Sequence, residues 1–205
     1  MEDTETLDRE FDELVSDVGD ELVDSYWDKK PEAFLPISAQ KRFITEGTIG
    51  RFVDTTALPP LQDMTKVLSI LILHESRSLL KNLCETQGLR DADLPLKKSS
   101  KLHLLTNRNT QLTASRASQC TKLLSEQWQC QVPVFNGAEG LSRMGRLENS
   151  SILPIISEPE SLGNGGYGEV WKVVIHPDHL ENAPVLIVSP LKCLNFSLIQ
   201  MLVLM

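Results

Sequence analysis

The sequence predicts an α+β chain, with a mostly helical region first and a small antiparallel β-unit after it. Three observations carry this. Apolar residues fall three and four apart over much of residues 38–125, the spacing of a helix face. After residue 152 the pattern changes to β-branched and aromatic runs, which suit strands. Between two such runs lies a glycine-rich segment with the composition of a turn. The organisation that follows is an acidic segment over 1–28, a helical region over 29–126, a linker over 127–151 and a β-unit over 152–205.

Residues 1–28 hold twelve carboxylates against Arg9 alone, a net charge of −11. The remaining residues hold 16 acids and 19 bases and are nearly neutral. Leu7, Phe11, Leu14, Val15, Val18 and Leu22 give the acidic segment one apolar helix face. Two readings stay open: an acidic amphipathic helix that docks on a basic groove, and a solvated, frayed terminal helix.

In the helical region, Pro36-Ile37-Ser38 offers a start, with Phe43, Ile44, Ile49, Phe52 and Val53 behind it. Gly47 and Gly50 weaken that pattern. Asp63 or Thr65 is positioned to cap a strong helix running through Val67, Ile70, Leu71, Leu73, Leu79, Leu80 and Leu83. Gly88 is placed to end it. Residues 91–96 read as a turn. Lys97, Lys98 and Lys101 read as a solvated basic linker. Residues 114–124 are the best helix candidate in the Ser/Thr-rich stretch that follows.

Composition excludes several classes. With 41% hydrophobic and 23% charged residues over 205 positions, the chain is neither disordered nor collagen-like. A net charge of −8 weighs against a nucleic-acid binder working through a basic face. Cys84, Cys120, Cys130 and Cys193 form no C-x-x-C pair, so neither a disulfide scaffold nor a structural zinc is expected. His176 and His179 flank Pro177-Asp178 as a polar turn without further ligands, and no metal site is assigned. The acidic start is unlike a signal or transit peptide, and no apolar run is long enough to span a bilayer. The expected location is intracellular, in cytoplasm or nucleus, with no membrane span.

The most informative stretch is Leu162-Gly163-Asn164-Gly165-Gly166-Tyr167-Gly168-Glu169-Val170-Trp171-Lys172. Gly163, Gly165 and Gly168 make a G-x-G-x-x-G core that dinucleotide-binding folds also use. There the last glycine must open a helix whose N-terminus holds the pyrophosphate. Here it is followed by residues 169–175, a β-branched and aromatic run that suits a strand. Strand, glycine turn, strand is a hairpin. Glycines let its backbone approach phosphates, with N–H groups directed at their oxygens.

At these residues the chain resembles the eukaryotic protein kinases. Shorter stretches also resemble fungal kinase-domain proteins with a helical N-terminal region: Phe34-Leu35-Pro36, Ile44-Thr45-Glu46, residues 91–96, residues 128–135 and Ile152-Leu153-Pro154. The resemblance implies an incomplete antiparallel N-lobe and ATP as ligand, with magnesium only where a complete kinase domain is present. Leu162 and Val170 would cover adenine. Gly163, Asn164, Gly165, Gly166 and Gly168 would cradle the phosphates, and Tyr167 would shield them at the tip. Lys192 falls where the family carries its phosphate-holding lysine, on a strand over 185–192. Pro190 departs from the small residue usual there, and an ordinary surface lysine is the alternative for Lys192. Leu89-Arg90-Asp91 resembles the catalytic-loop H-R-D but lacks its His and its following Asn.

No catalytic-loop Asp or magnesium-binding Asp follows Lys192, and residues 196–205 hold no acid to pair with it. The resemblance therefore implies a C-terminally truncated kinase domain, not catalytic as this chain stands. The other classes are a noncatalytic interaction protein whose helical region binds a protein partner, and a nucleotide-binding regulator.

Overall fold

The computed structural model describes residues 4–27, 32–136, 147–148, 150–165, 168–182, 189–191 and 198–203. Its helices are α1 (Thr4–Gly19), α2 (Ile37–Phe43), α3 (Glu46–Ile49), α4 (Thr65–Leu73), α5 (Arg77–Leu80) and α6 (Ala117–Cys130). Its first strands are β1 (Val23–Ser25), β2 (Glu32–Phe34), β3 (Lys97–Lys98), β4 (His103–Leu105), β5 (Gln111–Thr113) and β6 (Phe135–Asn136). The later strands are β7 (Glu160–Gly165), β8 (Gly168–Val173), β9 (Leu180–Glu181), β10 (Ser189–Leu191) and β11 (Leu198–Val203). The mixture of helix and sheet is the α+β class read from the sequence. Among the described residues no helix is long and apolar enough to cross a membrane.

The chain divides into two compact units, one of residues 1–22 and 37–131, the other of 23–36 and 132–205. The first is organised around α4. All seven residues from Val67 to Leu73 are buried, as expected of a helix apolar on every side. Neither Asp63 nor Thr65 caps it; Met64 stands at the cap position without a side-chain bond. The orphan N–H groups of Lys66 and Val67 instead donate to the Asp91 carboxylate, at 3.1 and 2.8 Å. The continuous helix predicted through Leu83 breaks at Glu75, where φ is 59°. It resumes as α5 and runs on into a π-helical turn, Lys81–Thr86. Gly88, at φ 67°, ends it as predicted, its N–H donating to the Cys84 carbonyl at 3.1 Å.

Lys97 and Lys98 are not in a solvated linker, and residues 103–105 and 111–113 of the expected helical region are strands. They form the antiparallel meander β3-β4-β5, with Leu104 and Leu112 buried beneath exposed Lys97 and Lys98. Two glutamines pin it to the helices. Gln127 of α6, buried, donates Nε2–H to the Leu96 carbonyl at 3.0 Å and accepts the Leu96 N–H at 2.7 Å. Gln87 does the same for Thr113, both at 2.8 Å. Each amide thus stands in for a neighbouring strand. Short strands with weak alternation leave no periodic signal, which is why the sequence pattern missed this sheet.

The acidic segment is a docked helix, not a frayed one. Phe11, Leu14 and Val18 of α1 are buried, and the Phe11 ring meets Phe52 edge-on at 5.2 Å.

In the second unit, β1 and β2 pair antiparallel, and β6 pairs with β9 in parallel. A four-stranded sheet runs β10-β11-β8-β7. Its β7–β8 and β10–β11 pairs are antiparallel. The purely antiparallel expectation needs correction at two places: β6 and β9 pair in parallel, and β11 joins β8 in parallel from Leu198–Gly168 to Val203–Val173. The apolar, β-prone tail supplies the strand that occupies this edge.

The Asp91 cap is directly testable. Burial is the larger influence on its carboxyl and pushes it above the usual carboxylate range, against the opposing pull of the Val67 and Lys66 N–H groups. A carboxyl raised in the native state adds stability fully below its unfolded value of about 3.9, and the addition fades as pH rises through the folded value. Asp91→Ala should cost about 1 kcal/mol at neutral pH by urea unfolding, the usual worth of a cap. Asp91→Asn keeps an acceptor without a buried charge and should cost less. The wild type should gain on the Asn variant as pH falls from 7 towards 4.

Candidate functional site

The glycine motif sits at the far end of a long hairpin. Its base is built outside the named strands. Ile155 bridges Ile175, the Ile156 N–H donates to the Val174 carbonyl at 2.9 Å, and the His176 N–H donates to the Pro154 carbonyl at 2.8 Å. Phe135, Ile155, Val173 and Ile175 form the buried cluster there, with Trp27, Leu153, Trp171 and Leu180 packed against it. From this base β7 and β8 run outward in the register Glu160–Lys172, Ser161–Trp171, Gly163–Val170, Asn164–Glu169 and Gly165–Gly168. Lys172 Nζ pairs with Glu160 Oε2 at 2.8 Å across the two strands.

The register slips between Ser161 and Gly163, so Leu162 is the extra residue of a bulge. A bulge bends its strand and re-aims a side chain. Leu162 is 48% exposed, an apolar side chain held out in water. Gly163 has φ 133°, a backbone that residues with a Cβ rarely adopt, so the bulge requires glycine. The segment from Gly168 is a strand and not a helix, which removes the helix N-terminus that a dinucleotide fold needs.

Of the residues singled out in the sequence, the structure brings Leu162, Gly163, Asn164, Gly165, Gly168 and Val170 together on this hairpin. Gly166, Tyr167 and Lys192 lie outside the described residues. The three residues before Lys192 form β10, which pairs with β11; β11 stands between β10 and β8.

The two histidines are structural. His176 Nδ1 accepts the Asp178 N–H at 3.3 Å, and His179 Nδ1 lies 3.2 Å from the Pro133 carbonyl. Both rings meet Phe34 edge-on, at 5.7 and 5.3 Å. Among the described residues no group of three or more His, Cys, Asp or Glu side chains is arranged to hold a metal. The Asp of Leu89-Arg90-Asp91 is the α4 cap, which accounts for it without chemistry.

Sequence reasoning did not find a polar cleft in the helical unit. It has a volume of about 310 Å³ and is lined by Gln87, Arg90, Asp93, Thr106, Arg108 and Thr110, among others. The Asp93 carboxylate accepts the Arg90 N–H at 3.0 Å, and Arg108 Nε stands 3.8 Å from its other oxygen. Arginine and carboxylate side by side give this cleft no single sign of charge.

No family model, curated protein or solved structure matches this chain.

Cys84, Cys120 and Cys130 are free and buried. Burial pushes the Cys84 thiol up to about 12, with Glu85 and Asp91 adding to it. Burial also raises Cys120 and Cys130. Thiolate is the reactive form, so none of the three is built as a nucleophile. A disulfide reagent at pH 8 should leave all three unlabelled in the folded chain and label them in urea, read by mass spectrometry. Rapid labelling of Cys84 before unfolding would contradict this.

Proposed function

We propose that the hairpin over residues 152–176 is a protein-kinase-type glycine-rich loop, and that this chain binds ATP through it. One observation carries the reading: the G-x-G-x-x-G core lies at the tip of an antiparallel hairpin whose second strand starts at Gly168. Two further features support it. The base is buried while Leu162, on the bulge part-way along the hairpin, is exposed. Gly163 at φ 133° gives the bulge a backbone conformation that residues with a Cβ rarely adopt.

Phosphoryl transfer is mostly positioning and charge neutralisation by metal-holding and catalytic carboxylates. The hairpin offers groups for binding, with Leu162 and Val170 against adenine and the glycine amides on the phosphates, and ATP binding is the activity assigned to it. A kinase cleft closes on adenine from two lobes, so affinity from the hairpin side alone should be weak.

The reading is checked by titrating ATP into the full chain and following backbone amide resonances. Shifts at Gly163, Gly165 and Gly168 should saturate with a Kd on the order of 1 mM, or about −4 kcal/mol. Adenosine should shift them less, having no phosphates. Gly163→Val, which the positive φ disfavours, should weaken binding about tenfold, roughly 1.4 kcal/mol. Glycine resonances that ATP leaves unmoved would rule the site out.

A second reading, a noncatalytic protein that binds a partner through its helical unit, is favoured by the way Arg51 and Arg77 hold the acidic helix there and Arg42 holds Glu21 just after it.

A further inference from the structure

The helical unit holds α1 in a groove with an apolar floor and a basic rim. Phe11, Leu14 and Val18, spaced i, i+3, i+7, are buried on the floor, where Phe11 meets Phe52. The rim is three arginines from three separate places in the fold. Arg77 of α5 pairs with Asp8 at 3.1 Å, Arg51 after α3 pairs with Glu10 at 3.3 Å, and Arg42 of α2 pairs with Glu21 at 2.5 Å.

Helix α1 is a poor helix by its own sequence. Carboxylates stand four apart on α1 at Asp8/Asp12 and Glu13/Asp17, pairs that repel on a helix surface. Its last turn carries no base to balance the negative end of the helix dipole. Among the described residues Asp12, Glu13, Asp17 and Asp20 make no ion pair that offsets this repulsion. The groove therefore folds α1, rather than α1 building the groove. The three ion pairs are partly exposed, up to 61% at Arg51 and 59% at Asp8, so solvent screens them.

We propose that this groove is a receptor for an acidic amphipathic helix of a partner protein, with α1 as its displaceable occupant within the chain. The partner helix would place apolar residues at i, i+3 and i+7. Its carboxylates would stand three and one residues before the first of these and ten after it, matching Asp8, Glu10 and Glu21 around Phe11. Such a helix with less internal repulsion than α1 has the advantage in trans; α1 has the advantage of its tether, which raises its effective concentration. The proposal rests on the helical unit alone, so the outcome of the ATP titration does not bear on it.

The test uses a fluorescent peptide of residues 4–22 as the probe and the full chain as the receptor. A full chain carrying Phe11→Asp and Val18→Asp, in which α1 loses its anchors, should bind the peptide about tenfold or more tightly than the wild type does. Adding Arg51→Glu and Arg77→Glu to that chain should remove the gain, and a peptide with Asp8→Lys and Glu10→Lys should restore it. Equal binding to wild-type and undocked chains, or indifference to arginine reversal, would overturn the proposal. A second measurement needs no variant: excess peptide added to the wild type should speed hydrogen exchange of amides 11–18, and unchanged exchange would also overturn it. A wild-type dimer that the peptide dissolves would assign the groove to the α1 of a second copy instead and overturn the partner assignment.

Discussion

The edge-on packing of Phe34 against His176 and His179 is the contact on which the second unit depends. It fastens residues 23–36 to a hairpin that starts more than a hundred residues later. The Ser25 hydroxyl donates to the Leu153 carbonyl at 2.7 Å, and the Tyr26 N–H donates to the Ile155 carbonyl at 2.9 Å. Trp27 then packs on the cluster of Phe135, Ile155, Val173 and Ile175. A two-stranded hairpin alone is marginal in water. Here its base gains a wall from the N-terminal segment, and the parallel strand β11 takes the free edge of β8. The base is thus held from several sides.

The first unit follows the same physical rule with polar groups. Helix ends and strand edges carry backbone groups that must find partners. Asp91 meets the start of α4 from 24 and 25 residues away. Gln127 and Gln87 close the open backbone of Leu96 and Thr113. Removing Gln127 leaves the buried backbone groups of Leu96 unmet, which costs more than the bond itself contributes. These side chains also set where the elements stop, since each fixes a chain end in space.

What was legible in the sequence is what local chemistry decides. The all-apolar run of α4, the glycine that ends the helix after it, the helix near residues 114–124 and the hairpin around the glycine motif each carry their own signal. The glycines and the β-branched residues after Gly168 were enough to choose a strand over a helix there. What stayed illegible depends on distant partners. Nothing beside Thr65 reveals that Asp91 will cap α4. Nothing in Lys97-Lys98 reveals a strand that a glutamine on α6 holds in place. The association of residues 23–36 with the hairpin rests on a phenylalanine meeting two histidines far along the chain. Several of the residues singled out in the sequence fall at such joints. Phe34 and Leu35 are buried, Asp91 is the remote cap, and Phe135 lies in the hairpin's cluster. The candidate site was legible in its glycines, while the bulge that exposes Leu162 came only from the register.

The central claim is that residues 23–36 hold the glycine hairpin in place through Phe34. Phe34→Ala removes a fully buried ring, a change that typically costs about 3–5 kcal/mol. Its local consequence is read by native-state hydrogen exchange in the full chain. The account expects the Tyr26 amide and the β8 amides, Gly168–Val173, to lose protection together, while those of α4 keep theirs. If the β8 amides keep full protection when the Tyr26 amide has lost it, the hairpin stands without this segment and the account is wrong.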